Sequence, residues 1–166
     1  MKGVLHLMKE FAQVKLVLTG AFLLDESFNE VADGSVSVIL GDATDAFSPY
    51  GEQIDFSVVK RMLENGAVIA CSSCGDHSAS GKESLLWNGI QWYKHGIDAN
   101  QVLKAMTSTP AKLLGVEQWT GSLAEGKNAD LVVWSDNPIR SYRAQLKAVY
   151  IKGENLLEKE RYSSCW

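Results

Sequence analysis

Short apolar runs in the first half of the chain predict β-strands. They occupy residues 14–18, 36–40 and 67–71, and each is rich in Val, Ile, Leu or Ala. A Thr-Gly pair, a glycine and a serine pair follow them in turn, as is typical where a strand gives way to a loop. The third run is apolar throughout, which indicates a strand that is covered on both faces of its sheet.

Around these runs, apolar residues recur every three or four positions, the spacing that places them on one face of a helix. This period predicts helices over residues 4–11, 24–31, 56–63 and 85–95. Asp55 is a candidate N-cap for the third of these helices, and Gly66 is its stop signal.

Two more helix starts follow along the chain. Residues 98–101, Asp-Ala-Asn-Gln, form a variant of the capping box and predict a helix that turns Val102 inward. Thr109 and Pro110 predict the cap of a short helical turn, because proline suits the first helical position. Gly115 then closes that turn, since glycine is the preferred residue after a helix end.

The remainder of the chain has the pattern of an antiparallel β-sheet. Leu131–Trp134 and residues 148–151 are strand-like, and a polar turn at residues 136–138 separates them. Residues 153–154 predict a further turn, after which residues 155–158 could return as a hairpin partner.

The alternation of helices and strands predicts a parallel sheet with covering helices. The expected fold class is therefore α/β, with a boundary near residue 118. Residues 1–118 form the region with alternating elements, and residues 119–166 form a β-rich C-terminal segment.

Composition and charge argue against several classes of function. The chain has 166 residues, of which 46% are hydrophobic and 22% charged, as in an ordinary globular domain. A net charge of −4 offers no basic surface for nucleic acid. No apolar run approaches the roughly 20 residues that span a bilayer, and charge returns too early near the N-terminus for a secretory signal. We expect neither a nucleic-acid partner nor a membrane partner.

The cysteines indicate a reducing compartment. Cys71, Cys74 and Cys165 are odd in number and form no regular framework, which favours the cytoplasm over a disulfide scaffold. Cys71 and Cys74 could form a redox pair, or a small zinc site with Asp76 and His77. This motif follows a strand rather than opening a helix, and four ligands within seven residues would be strained. We therefore expect a buried Cys71 and a loop Cys74.

Four runs near the C-terminus stand in an order and spacing that resemble a known family. They are TPAKLLG at residues 109–115, GSLAEGKNADLVVW at 121–134, DNP at 136–138 and VYIKGE at 149–154. Together they resemble the C-terminal half of amidohydrolase superfamily enzymes, closest to the imidazolonepropionase-related branch. The resemblance is specific over about residues 100–156 and extends more loosely back to the start of the chain.

This resemblance implies a fold and a chemistry. The fold is a partial (β/α) TIM-like barrel followed by a small C-terminal β-sandwich segment, with the active site at the C-terminal face of the barrel. Family members bind one or two divalent metals, usually zinc. A metal-bound hydroxide then attacks the amide or related carbonyl of a small-molecule substrate, so the implied reaction is hydrolysis of a carbon–nitrogen bond.

Asp76 and His77 are the site residues that the resemblance implies. They follow the third predicted strand and match the pattern of the family's eighth strand, where the aspartate binds metal and takes the proton from the attacking water. His77 is a second candidate ligand. Thr19 stands where the family often places a histidine, and the His-x-His motif and the ligands of the fourth and fifth strands have no counterpart. One carboxylate does not hold a catalytic zinc, which takes about three protein ligands.

The missing ligands leave two functional readings and imply a partner. A full barrel needs roughly 200 residues or more, whereas this chain supplies about three strand–helix units. An opened barrel exposes strand edges and apolar faces, so we expect a homo-oligomer, a complementary barrel half or a rearranged sheet. The alternative is a non-catalytic amidohydrolase remnant that acts as a binding or assembly module, with Asp76 as a former ligand position. The helix that carries Trp87 and Trp92 is a candidate contact face.

Overall fold

A computed structural model describes residues 10–11, 16–19, 36–41, 55–73 and 84–158. The predicted helices over residues 4–11 and 24–31 lie outside these ranges, apart from Glu10 and Phe11. None of the helices in the described ranges combines the length and apolar character that a membrane crossing requires.

The described elements alternate between strands and helices before they end in strands alone. In chain order they are β1 (Leu16–Thr19), β2 (Val36–Leu40), α1 (Phe56–Glu64), β3 (Val68–Cys71), α2 (Ser84–Lys94), α3 (Ala99–Met106), α4 (Ser108–Leu114), β4 (Leu131–Trp134), β5 (Leu146–Ile151) and β6 (Glu154–Asn155).

The first three strands form one parallel sheet in the order β1-β2-β3. Val36, Val38 and Leu40 of β2 are at most 1% exposed, because β2 is the central strand of the three. In β3, Ile69 and Ala70 are each 1% exposed, as an apolar run covered on both faces should be. The α/β class and its parallel sheet are therefore confirmed.

Helix α1 begins where the sequence predicts. The Asp55 carboxylate oxygen Oδ1 accepts hydrogen bonds from the Ser57 amide, at 2.9 Å, and from the Ser57 hydroxyl, at 2.7 Å. Asp55 thus satisfies an amide of the first turn that has no partner within the helix. At the other end, Gly66 has a φ of +92°, a left-handed conformation that glycine adopts without strain.

Replacing Asp55 by asparagine is expected to remove a pH-dependent part of the stability. The Ser57 hydroxyl and amide lower the pKa of Asp55 below its ordinary value. Because the folded-state pKa is depressed, the stabilisation is fully present above the unfolded pKa of about 3.9 and is lost as the pH falls further. Urea unfolding at stepped pH values measures it.

The advantage of wild type over Asp55→Asn should shrink as the pH falls below about 4. Ser57→Ala removes the hydroxyl donor and should weaken the pH dependence while the carboxylate stays in place. An identical pH dependence in wild type and Asp55→Asn would contradict this account of the cap.

Helices α2 and α3 approach closely at Gly89. A side chain there would meet Met106 Sδ at 2.6 Å and Val102 Cγ1 at 3.0 Å. Helix α3 begins at its predicted cap, since Asp98 Oδ1 accepts from the amides of Asn100, at 2.9 Å, and Gln101, at 3.3 Å. Val102 is fully buried, as its position after the capping sequence predicts.

The predicted start of α4 is wrong by two residues. The helix begins at Ser108 with Thr107 at the N-cap, so Pro110 is its third residue rather than its first. Thr107 donates its hydroxyl to the carbonyl of Leu103 at 2.7 Å, which ties the end of α3 to the start of α4. Pro110 is tolerated there because the first amides of a helix have no partner within it. Gly115 ends the helix as predicted, with a φ of +70°.

The last three strands form an antiparallel sheet in the order β4-β5-β6. The turn between β5 and β6 is made by Lys152 and Gly153, whose φ values are +51° and +81°. The prediction placed this turn one residue later, whereas Glu154 pairs with Ile151 in the ladder. A lysine with a positive φ is uncommon, and the sequence around Lys152 gives no signal that predicts it.

The core lies between the parallel sheet and its helices. Trp92 is fully buried within it, whereas Trp87, on the same helix, is 48% exposed. Of these two tryptophans, only Trp87 is exposed on the helix that the sequence marks as a candidate contact face. Ile139, in the loop between β4 and β5, is 2% exposed and belongs to the same core. The β-rich segment therefore inserts a side chain into the core beside the parallel sheet.

Candidate active site

Parallel strands place their carboxyl ends at one edge of the sheet, where an α/β fold carries its site. At this edge the structure describes Thr19 as the last residue of β1, Gly41 after β2, and Ser72 and Ser73 after β3. Gly41 is buried, whereas the two serines are half-buried. The described part of this edge therefore offers hydroxyl groups and backbone atoms.

The end of β3 is held from two sides. Ser72 donates its amide to the carbonyl of Leu40 at 2.9 Å, which extends the ladder with β2 by one residue. The carbonyl of Ser72 accepts from Nδ2 of Asn88 in α2 at 3.1 Å. Asn88 is fully buried. Sequence reasoning missed it, and the available signal was a polar residue on the apolar face of a predicted helix.

Asp76 and His77 lie outside the described residues, which stop at Ser73 and resume at Ser84. Their roles therefore stay predictions. Cys74 lies in the same undescribed stretch, so the redox and zinc hypotheses for the cysteine pair also stay open. Cys71 is 5% exposed and lies in the core, and its predicted burial is confirmed.

The described residues do not fit a complete metal centre. Within them, no group of three or more histidine, cysteine, aspartate or glutamate side chains is placed to hold a metal ion. The side chains at the described strand ends belong to Thr19, Ser72 and Ser73, and catalytic zinc takes histidine, carboxylate or thiolate ligands instead. The two ligands that the family resemblance implies, Asp76 and His77, lie outside the described ranges.

His95 has a structural environment. Its ring stacks on Phe56 with centroids 4.4 Å apart, and Nδ1 lies 2.8 Å from the carbonyl of Gln91. The Gln91 carbonyl, in the last turn of α2, also accepts from the His95 amide at 3.1 Å. These contacts link α1 to α2 and agree with the helix-end position predicted from the sequence.

The motif that carries the family resemblance closes a loop onto α4. Gly121 has a φ of +85°, and a Cβ there would overlap Ala111 Cβ. Lys127 donates from Nζ to Ser122 Oγ at 2.6 Å and also to the Glu117 carbonyl. The conformation of this loop therefore depends on glycine at position 121 and on the long cationic side chain of Lys127.

Asp130 stabilises the turn between β5 and β6. Its Oδ1 accepts from the amide of Lys152 at 2.7 Å, and the Ala129 carbonyl accepts from the amide of Gly153 at 3.1 Å. These bonds hold the two left-handed residues of the turn. Asp130 therefore has a structural role in this turn, and its position at the start of a strand requires no catalytic explanation.

The model of the amidohydrolase family matches residues 52–156. This match includes the end of β3, the three helices that follow it and the antiparallel sheet. It begins earlier than the stretch that the sequence motifs indicated.

Individual proteins agree with this match. An imidazolonepropionase from Treponema denticola is 28% identical over 148 residues, which cover 82% of this chain and 34% of that protein. The crystal structure of an amidohydrolase from Thermotoga maritima superposes with a TM-score of 0.77 at 27% identity, covering 92% of this chain and 39% of that one.

A more distant relative shows the fold alone. An adenosine deaminase from Xanthomonas campestris, solved with bound zinc, has a TM-score of 0.66 at 20% identity over 91% of this chain and 39% of its own. This chain thus spans between a third and two fifths of the length of these relatives. By the family match, the resemblance predicted from the sequence is confirmed, and the chain belongs to the amidohydrolase family.

Proposed function

We propose that this chain is part of a metal-dependent hydrolase that cleaves a carbon–nitrogen bond, in a non-peptide amide or a cyclic amide of a small molecule. The observation that supports this best is the family match, which includes the end of β3 and the segment that follows it. The likeness to an imidazolonepropionase favours a cyclic amide among the substrates of this class.

In this proposal Asp76 is both a metal ligand and the group that accepts a proton from the attacking water, and His77 is a second ligand. Asp76 follows Ser72, whose amide bonds to the Leu40 carbonyl of β2, by four positions. When bound, a divalent metal, zinc by preference, supplies a water that ionises near neutral pH. A carboxylate beside that water is a suitable proton acceptor.

The remaining ligands come from a second copy or a complementary barrel half. Within the described residues, β1 and β3 each pair with a neighbour on one side only, and an unpaired strand edge is a template for another strand. The partial (β/α) TIM-like barrel would be completed there. A cytoplasmic location, expected from the cysteines, is part of the same proposal.

The C-terminal sheet supports the β-sandwich part of the proposal. Val132 and Val133 are neighbours on β4, and they are 52% and 40% exposed. Neighbouring residues of a strand point to opposite faces of the sheet. Both faces of β4 therefore present apolar side chains that a second layer would cover, since apolar surface gains free energy on burial.

The second candidate function is a non-catalytic binding or assembly module. Thr19 favours it, because a hydroxyl stands at the end of β1, where the family often places a metal-binding histidine. Such a module would bind its partner through the unpaired strand edges and would not activate a water for hydrolysis.

Metal content separates the two functions. If a second copy supplies the remaining ligands, the chain, freed of metal with a chelator and then dialysed against zinc, is expected to retain about one equivalent per completed site. Asp76→Ala should weaken this binding at least tenfold, because it removes a ligand. Glu125→Gln is the matched control: it neutralises an exposed carboxylate and should leave the metal content unchanged. Elemental analysis gives the metal content, and zinc titration gives the affinity.

Metal-free protein, with a stability that neither chelator nor Asp76→Ala alters, would contradict the hydrolase proposal for the chain by itself. That outcome would favour the binding module.

A further inference from the structure

The sequence contains two Asn-Gly pairs, and the structure places them in different surroundings. One is Asn65-Gly66 at the end of α1, and the other is Asn88-Gly89 inside α2. In such a pair the backbone nitrogen of the glycine can attack the side-chain amide carbon of the asparagine, because glycine has no Cβ to obstruct the approach. The rate of this attack depends on how freely the backbone between the two residues rotates.

Asn65 and Gly66 lie in an exposed turn. Asn65 is the C-cap of α1, with φ −86° and ψ 5°, and the φ of Gly66 is +92°. The Gly66 amide donates to the Leu63 carbonyl at 3.1 Å. The Ala67 amide donates to the Met62 carbonyl at 3.0 Å, which completes a Schellman motif. These two bonds are all that closes the turn, and because helix ends fray, opening them costs little free energy.

Asn88 and Gly89 are both buried in the middle of α2. Nδ2 of Asn88 donates to the Ser72 carbonyl at 3.1 Å, which fixes the amide that would have to rotate. A Cβ on Gly89 would meet Met106 Sδ at 2.6 Å and Val102 Cγ1 at 3.0 Å, so α3 packs directly against this part of the backbone. The Gly89 nitrogen can therefore reach the asparagine side chain only after α2 unfolds, and a core helix opens at a cost near that of global unfolding.

We propose that Asn65 is a site of spontaneous deamidation, whereas Asn88 is protected by the fold. The Gly66 nitrogen bonds to Cγ of Asn65, the bond from Cγ to Nδ2 breaks, and ammonia leaves with the proton of the Gly66 amide. One water molecule then opens the resulting succinimide ring at either carbonyl carbon. The product is aspartate, or isoaspartate when the main chain continues through the former side chain.

Deamidation places a negative charge at the end of α1, where it is unfavourable. The last carbonyls of a helix carry partial negative charge, so this position favours cations. The preceding residue, Glu64, already presents an exposed carboxylate. Isoaspartate also lengthens the main chain by one atom, which displaces the Gly66 and Ala67 amides from the helix carbonyls. Because Ala67 leads directly into β3, the modification weakens the link between α1 and the parallel sheet.

Peptide mapping by mass spectrometry tests the site. In the folded full-length chain, kept at mildly alkaline pH, Asn65 should deamidate at least tenfold faster than Asn88, because its turn opens at a much lower cost. In guanidinium chloride the difference should largely disappear, since both pairs then have the same local chemistry. Equal rates in the folded chain would overturn the proposal, as would an Asn65 that converts in denaturant and stays intact in the folded chain.

Two substitutions at position 65 test the consequence for α1. Asn65→Gln keeps an amide but moves it one carbon farther from the main chain, so deamidation at this position should stop. Asn65→Asp reproduces the aspartate product and should unfold at a lower urea concentration than Asn65→Gln at neutral pH. This difference should shrink below a pH of about 4, where the carboxyl group is protonated. Continued deamidation of the Asn65→Gln chain at position 65, or equal unfolding midpoints for the two variants at neutral pH, would contradict this account.

Discussion

Replacing Trp92 by alanine is expected to lower the free energy of unfolding by about 3–5 kcal/mol. Trp92 is fully buried and is the largest of the completely buried side chains in the described chain. Its removal forfeits the burial of a large apolar surface and leaves a cavity that the surrounding helices and sheet can close only in part. Urea unfolding followed by circular dichroism measures the loss.

Two variants of α2 test this explanation. Trp92→Phe should cost less than Trp92→Ala, because it keeps most of the ring volume. It also removes the indole N–H, which has no acceptor among the described residues. Trp87→Ala should cost about 1 kcal/mol or less, since Trp87 is 48% exposed and its neighbour is Lys94, with Nζ 5.2 Å from the ring centroid. Similar losses for Trp87→Ala and Trp92→Ala would show that α2 is not oriented as described.

Replacing Gly121 by alanine is expected to lower the free energy of unfolding by about 3 kcal/mol. A Cβ at this position overlaps Ala111 Cβ and lies 3.0 Å from the backbone carbonyl oxygen of Thr107. Neither group is the end of a flexible side chain, so the loop and α4 must move apart. The φ of +85° adds the strain of a left-handed conformation. Thermal or urea unfolding of the purified variant measures the combined loss of free energy from the steric contact and the backbone strain.

Gly126→Ala is the matched control for Gly121→Ala. Gly126 has a φ of +83°, close to that of Gly121, but a Cβ there meets no atom within 4 Å. This variant should therefore show the conformational cost alone, about 1–2 kcal/mol. If the two substitutions cost the same, the contact with α4 contributes nothing and the loop is not docked as described.

The elements that local chemistry determines could be predicted from the sequence. Val36–Leu40 is a strand with the predicted bounds, because all its residues except Ser37 are apolar, most of them β-branched, and a glycine follows. Asp55 and Asp98 cap their helices as predicted, because an N-cap carboxylate bonds to amides only two or three residues away.

The errors arise where a residue's role depends on its neighbours in space. The start of α4 was misplaced because the Thr107 hydroxyl bonds back to Leu103, a contact that a search for proline at a first helical position does not consider. Asn88 was missed because a single polar residue in a helix is usually a surface residue. Only the folded chain shows that Ser72 lies beside it.

The candidate site itself was predicted through the family resemblance and not through physical chemistry. The motif runs identify the family, yet the structure gives Gly121, Lys127 and Asp130 roles in loops and turns. Asp76 and His77 owe their assignment to position after β3, and they lie outside the described residues. Their roles therefore stay predictions from the sequence resemblance, which the metal measurements test.

Ile139 links the two regions that the sequence pattern separates. Its side chain is 2% exposed, and its Cδ1 lies 3.1 Å from where a Cβ on Gly89 would be. Truncating the chain near residue 118 would therefore remove the buried Ile139 side chain from the hydrophobic core of the remaining fragment. The truncated fragment would expose an apolar cavity to water. The smallest fragment expected to fold on its own therefore includes the antiparallel sheet.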